Sequence, residues 1–280
     1  MMQKVILSKN AGFCFGVKRA VDEALKTQKE FNKKIYTLGP LIHNGDVVSM
    51  LENNNIYSIT LDEINNLLEG DIILIRSHGV SKKVMELLES KKLKVINATC
   101  PYVTNIQKKA EKYSNEGYEI VILGDKNHPE VVGINGWCND SAIITPDGNF
   151  SNKLPNRVCV LSQTTERAEN WQKTLSSLSL KTKEILAFNT ICSATEVRQK
   201  SAFELSKEVD VMFVVGGKNS SNTTKLFKIC KENCLNTFHI ENLEDLKEID
   251  KNLWKNKTIG ITAGASTPQW IIDEIFQYLK

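Results

Sequence analysis

Three of the seven cysteines stand where a thiol can do chemistry. Cys14 lies in Ala11-Gly12-Phe13-Cys14-Phe15-Gly16, Cys100 in Asn97-Ala98-Thr99-Cys100-Pro101, and Cys192 in Asn189-Thr190-Ile191-Cys192-Ser193-Ala194, each just ahead of a helical stretch. Pro101 suits a first helical position, and the positive end of a helix dipole favours a thiolate. The three positions recur at near-equal intervals, which predicts successive α/β units of about 90 residues that each bring one thiolate to a shared centre. Three thiolates suit zinc with an open fourth position, or an iron-sulfur cluster with one iron lacking a protein ligand; spacing alone leaves both open. Cys138, Cys159, Cys230 and Cys234 read instead as small core hydrophobes. Cys230 and Cys234 are one helical turn apart, but no second Cys or His pair completes a zinc site.

Three of the four histidines follow apolar runs, in loops of the kind that carry function: His43 in Ile42-His43-Asn44, His78 in Ser77-His78-Gly79-Val80, and His128 in Asn127-His128-Pro129-Glu130. Any one of them alone reads more readily as a turn or surface residue. Glu130, fixed beside Pro129, is a candidate proton donor. The segment Gly216-Gly217-Lys218-Asn219-Ser220-Ser221-Asn222 runs from an apolar stretch into a helix, where unpaired N–H groups and the dipole favour an anion. Ser266 and the pair Thr164 and Thr165 occupy similar junctions, although each alone is an ordinary capping residue. Neither a Walker A loop nor G-x-G-x-x-G is present, so nucleotide binding has no support.

Positioning these residues falls to short apolar runs at positions 5–7, 72–75, 120–123, 158–161, 211–215 and 259–262. They are continuous rather than alternating, as in parallel strands buried on both faces. Val17, Ala20, Val21, Ala24 and Leu25 form the stripe of a core-facing helix, and Thr60-Leu61-Asp62-Glu63 matches a capping box that predicts another helix. The alternation specifies an α/β fold with right-handed crossovers and helices on both faces, whose ligands bind beyond the carboxyl ends of the strands. With 36 Lys and Arg against 33 Asp and Glu the net charge is +3, so any anion is bound locally and no nucleic-acid surface is expected. No apolar run approaches the roughly 20 residues of a membrane span. The start carries no secretory signal pattern, so a cytoplasmic location with reduced thiols is expected.

Nine segments in order, from Gly12-Phe13-Cys14-Phe15-Gly16-Val17 through Gly124-Asp125-Lys126-Asn127-His128-Pro129-Glu130 and Ser162-Gln163-Thr164-Thr165 to Thr262-Ala263-Gly264-Ala265-Ser266, closely resemble the 4-hydroxy-3-methylbut-2-enyl diphosphate reductase (LytB) family. The resemblance spans almost the whole chain. It implies a trefoil of three similar α/β lobes with mainly parallel sheets: residues 14–99, residues 100–190, and residues 191–280 with 1–13. It implies a central 4Fe-4S cluster on Cys14, Cys100 and Cys192 with the fourth iron open. His43, His78, His128, Ser220, Ser221, Asn222 and Ser266 would surround a substrate diphosphate, Thr164 would meet the hydroxyl end, and Glu130 would deliver a proton, with His128 beside it. Thr165 competes with Thr164 for its role. The implied reaction is reductive dehydroxylation to isopentenyl and dimethylallyl diphosphate, the last step of the non-mevalonate isoprenoid pathway, with ferredoxin or flavodoxin as electron donor. Two other readings compete: a zinc hydrolase with Glu130 as general base, and an iron-sulfur sensor of a phosphorylated metabolite. The lack of a DNA-binding motif weighs against the sensor.

Overall fold

Strands form where apolar runs are covered on both sides, and the computed structural model, which describes residues 3–280, arranges twelve of them into three parallel four-stranded sheets. The chain opens with β1 (Lys4–Leu7) and α1 (Phe15–Phe31), whose Ala20, Val21 and Ala24 are buried as the stripe predicts. The first complete sheet takes β2 (Ile35–Leu38), β3 (Ile56–Ile59), β4 (Ile72–Ile75) and β5 (Lys94–Asn97) in the order β3-β2-β4-β5, with α2 (Gly45–Glu52) and α3 (Lys82–Ser90) as connections. Helix α4 (Pro101–Asn115) leads to β6 (Glu119–Leu123), α5 (Pro129–Asn135), β7 (Ile143–Thr145), β8 (Arg157–Ser162), α6 (Ala168–Ser179) and β9 (Glu184–Ala187). This second sheet runs β7-β6-β8-β9. After α7 (Ser193–Ser206) come β10 (Val211–Val215), α8 (Ser221–Asn233), β11 (Thr237–Ile240), α9 (Leu243–Lys247), β12 (Thr258–Ala263) and α10 (Gln269–Leu279). The third sheet runs β1-β12-β10-β11 and so recruits the first strand of the chain.

Helices cover both faces, as expected. In the second sheet Ile120, Ile122 and Leu161 pack with Ile106 and Ala110 of α4 and with Val131 and Ile134 of α5. Val121, Leu123, Val158 and Val160 pack on the other side with Trp171 and Leu178 of α6. The third sheet repeats the arrangement, with α9 and α10 on the face of Phe213 and Ile261, and α7 and α8 on the face of Met212 and Val214. Cys138, Cys159, Cys230 and Cys234 sit inside these cores as apolar groups.

One local expectation fails. The segment from Thr60 forms a five-residue 3-10 turn, Asp62–Asn66, instead of a helix. Half of the capping box is present, since the Glu63 carboxylate accepts the Thr60 amide at 2.7 Å and its hydroxyl at 2.9 Å. Two asparagines follow at once, and Leu67 is already extended, so there are too few residues to pay the cost of helix nucleation.

By packing, the chain divides into two units. One holds the described residues through Lys18, together with Ile42–Ser49 and Ser193–Lys280; the other holds Arg19–Leu41 and Met50–Cys192. Among the described residues no helix is long and apolar enough to cross a membrane.

Candidate active site

Every candidate site residue follows the carboxyl end of a strand, and the three sheets distribute them alike. In the order β3-β2-β4-β5 the last strand leads to Cys100, and the two central strands lead to His43 and His78. In β7-β6-β8-β9 the last strand leads to Cys192, and the central pair to His128 with Glu130 and to Thr164. Reading the third sheet from its other end, β11-β10-β12-β1, the last strand leads to Cys14 and the central pair to Ser220–Asn222 and Ser266. Strand ends of this kind are where open parallel sheets bind ligands.

A repeated backbone hydrogen bond ties each cysteine to the loop beside it. The Cys100 amide donates to the Ser77 carbonyl (3.0 Å), that of Cys192 to Thr164 (2.9 Å), and that of Cys14 to Ala265 (3.1 Å). Each acceptor is itself a polar site residue or the immediate neighbour of one: His78, Thr164, Ser266. Two of the approaches share an Asx turn, in which Asn97 Oδ1 accepts the Thr99 amide and Asn189 Oδ1 accepts the Ile191 amide. Cys100 is the N-cap of α4 with Pro101 behind it, and Cys14 Sγ accepts the Val17 amide at 3.5 Å in the first turn of α1. Cys14, Cys100 and Cys192 are partly exposed, whereas the other four cysteines are buried. Burial pushes the thiols of Cys138, Cys159 and Cys230 up to about 11, 12 and 12 and keeps them neutral. Cys14, Cys100 and Cys192 thus combine accessibility with a helix-start position, the two features a thiolate ligand needs.

In the second unit the acid and its partners are assembled. Glu130 is 2% exposed, and its two oxygens accept the Thr164 amide (2.6 Å) and the Thr164 hydroxyl (2.7 Å). The Thr164 hydroxyl therefore meets Glu130 directly. His128 is the N-cap of α5, and its Nδ1 accepts the Glu130 amide at 3.1 Å. That bond places the ring proton on Nε2, so neutral His128 offers a donor there. The His78 and His128 rings meet edge to face with centroids 5.2 Å apart. The His78 loop is held by Gln107 Nε2 and Trp137 Nε1, which both donate to the Val80 carbonyl at 3.2 and 2.9 Å. The Gln163 Oε1 accepts the Asp125 amide at 3.2 Å and so joins the loops after β6 and β8.

The first unit gathers serine hydroxyls and an asparagine amide at a helix start. Ser220 caps α8, Ser221 opens that helix, and the Ser266 hydroxyl lies 3.4 Å from both the Ser220 hydroxyl and the His43 carbonyl. Contacts of that length are weak, which leaves these hydroxyls able to turn to a ligand. Asn222 is 3% exposed, and neither atom of its buried amide has a hydrogen-bond partner. A buried amide with both atoms unsatisfied costs free energy unless a ligand uses it. A Cβ on Gly217 would stand 2.2 Å from the His43 carbonyl oxygen, so only glycine lets the two loops meet.

A family model described as LytB protein matches residues 5–280. The chain belongs to the LytB family. The 4-hydroxy-3-methylbut-2-enyl diphosphate reductase of Clostridium perfringens (strain 13 / Type A) is 63% identical over 283 residues, which cover 100% of this chain and 99% of that one. The solved structure of (E)-4-hydroxy-3-methyl-but-2-enyl diphosphate reductase, the terminal enzyme of the non-mevalonate pathway, matches with TM-score 0.72 and 42% identity, covering 99% of this chain and 98% of the other. That of the E-1-hydroxy-2-methyl-but-2-enyl-4-diphosphate reductase from Plasmodium falciparum matches with TM-score 0.88 and 27% identity, over 99% and 88%.

Two arginines of this LytB chain escaped the sequence reading. Arg198, 5% exposed on α7, donates to the Ala194 carbonyl and to the Gly12 carbonyl, each at 2.8 Å, and so ties the segment after Cys192 to the segment before Cys14. Arg19 on α1 donates to the Thr99 carbonyl, next to Cys100. An arginine in a helix reads as a solvated group, and no spacing signal marks either one.

Proposed function

We propose that this chain reduces 4-hydroxy-3-methylbut-2-enyl diphosphate to isopentenyl and dimethylallyl diphosphate in the cytoplasm, with a 4Fe-4S cluster on Cys14, Cys100 and Cys192 and electrons from a ferredoxin or flavodoxin. The geometric observation that carries the reading is the Glu130–Thr164 pair, a buried carboxyl group whose two oxygens accept the amide and the hydroxyl of one threonine. When bound, the cluster supplies a Lewis-acidic iron for the substrate's hydroxyl oxygen and passes electrons singly. Each turnover takes up two electrons and two protons: one proton leaves with the substrate's oxygen as water, and the other ends on an allylic carbon. Glu130 supplies protons through the Thr164 hydroxyl, which it contacts at 2.7 Å. The arrangement also keeps the acid oriented, because rotation would break two short hydrogen bonds. His43, His78 and His128, the α8 start with Ser220, Ser221 and Asn222, and Ser266 hold the diphosphate. Histidines, neutral or protonated, with helix-start hydroxyls and one helix dipole can do this without a strongly basic surface, in keeping with the small net charge.

The test is Glu130→Gln in protein purified without oxygen. Wild-type protein is expected to be brown with about four irons per chain and to bleach on reduction. The variant is expected to keep that absorption and lose at least about a hundredfold in turnover, the share a positioned general acid contributes. A variant with wild-type turnover would remove Glu130 from the mechanism. A colourless wild-type protein that carries zinc and takes up no iron and sulfide would replace the reductase by the hydrolase reading.

A further inference from the structure

A concavity of about 410 Å³ in the second unit is lined by residues that have no part in the proposed reaction. Its walls are mainly apolar, with Pro40, Val84 and Val132 among them, and its polar groups include Thr60, Asn127 and the guanidinium of Arg76. That is the size and composition of a small-molecule site, an apolar body with a few polar fixtures.

Arg76 follows the last residue of β4, and its guanidinium lies across the backbone at Gly39, where a Cβ would come within 2.7 Å of Nη1. Its Nε is buried without a hydrogen-bond partner, and no carboxylate among the described residues pairs with it. Loss of water around the group pulls its pKa down to about 10. A desolvated cation without a counter-charge is unfavourable, and an arginine fork matches a carboxylate or phosphate with two parallel hydrogen bonds. The apolar walls argue that the anion carries an apolar body.

We propose that this pocket binds a small amphiphilic anion, with its carboxylate or phosphate on the Arg76 guanidinium and its apolar portion along Pro40, Val84 and Val132. Gly79 and Val80, next to His78, and Asn127 and Pro129, on either side of His128, also line the pocket, so an occupant touches both histidine-bearing loops. The inference does not rest on the reductase reading.

Titration calorimetry of the cluster-loaded protein tests it, with octyl phosphate and octanoate below their micellar concentrations as probes. Inorganic phosphate serves as the head-group control, and saturating inorganic diphosphate blocks the site proposed above. At least one amphiphile is expected to bind one to one, with Arg76→Met weakening it about tenfold or more, the worth of a charged hydrogen bond. Val132→Trp, at a half-exposed position on the rim, is expected to abolish binding with Arg76 in place, and it carries the test by itself if Arg76→Met does not fold. The better of the two probes identifies the head group. The proposal is overturned if neither amphiphile binds, if inorganic phosphate binds as tightly as octyl phosphate, or if a folded variant of either kind binds like wild type.

Discussion

His128 serves both as helix cap and as proposed substrate donor, through different ring nitrogens, and a substitution can separate the two. Nδ1 caps α5 by accepting the Glu130 amide, and Nε2 carries the proton. Asparagine is among the best N-caps but cannot place a donor where Nε2 stands. His128→Asn should therefore shift the unfolding free energy by less than about 1 kcal/mol, while KM for the diphosphate rises about tenfold or more. A large loss of stability with unchanged KM would assign His128 to capping alone. Asn222 makes the opposite kind of case. Its buried amide lacks partners, so Asn222→Ala should leave the protein at least as stable and yet raise KM; a marked fall in the melting temperature would show that the amide is structural. Residue types were legible in the sequence at both positions. Their bonding was not, because neither a nitrogen's partner nor an amide's lack of one leaves a trace in spacing.

Of the twelve strands, the six anticipated ones are those with continuous apolar runs: β4, β6, β8, β10 and β12 in sheet interiors, and β1 at an edge. The unrecognised ones are mostly edge strands such as β5 and β9, exposed at both ends and only partly buried between, whose hydropathy cannot be told from a loop. Yet β5 and β9 deliver Cys100 and Cys192, so the cysteine motifs were readable while the strands that place them were not. Helix α7 hides its role differently. Its buried positions, Thr195, Arg198, Ala202, Leu205 and Ser206, follow helical spacing but mix polar with apolar types, so no hydrophobic stripe shows. Arg198 nevertheless joins this helix to the Cys14 loop. Arg198→Met should cost about 3 kcal/mol in urea unfolding of the cluster-free protein, as two hydrogen bonds from a buried cation are lost. It should also speed the loss of cluster absorbance in air, with Arg198→Lys in between. An unchanged unfolding midpoint would show that the anchor holds nothing.

The whole chain should be most stable across a defined span of pH, because its buried neutral groups resist ionisation at both ends. On the acid side burial, opposed by its contact with the Gly216 carbonyl, holds His239 below its ordinary 6.5. Below that pH the unfolded chain binds a proton that the folded one resists, so stability falls with pH. On the alkaline side Cys138, Cys159 and Cys230, spread over the cores of both units, titrate at about 11, 12 and 12 when folded, against an ordinary 9.0. Above that value the unfolded thiols lose protons that the folded ones keep, and stability falls as pH rises towards the folded values. Each thiol then contributes close to 1.4 kcal/mol per pH unit. Cys159→Ala isolates one of them. Near neutrality it should destabilise by about 1 kcal/mol through lost packing. That deficit should shrink as the pH is raised beyond about 9, because only wild type carries the Cys159 share of the alkaline penalty. Urea unfolding of both proteins under reductant, at neutral pH and near pH 10.5, measures the difference. A deficit that stays constant would mean that the Cys159 thiol ionises in the fold as readily as in water, and that the core of the second sheet is open to solvent.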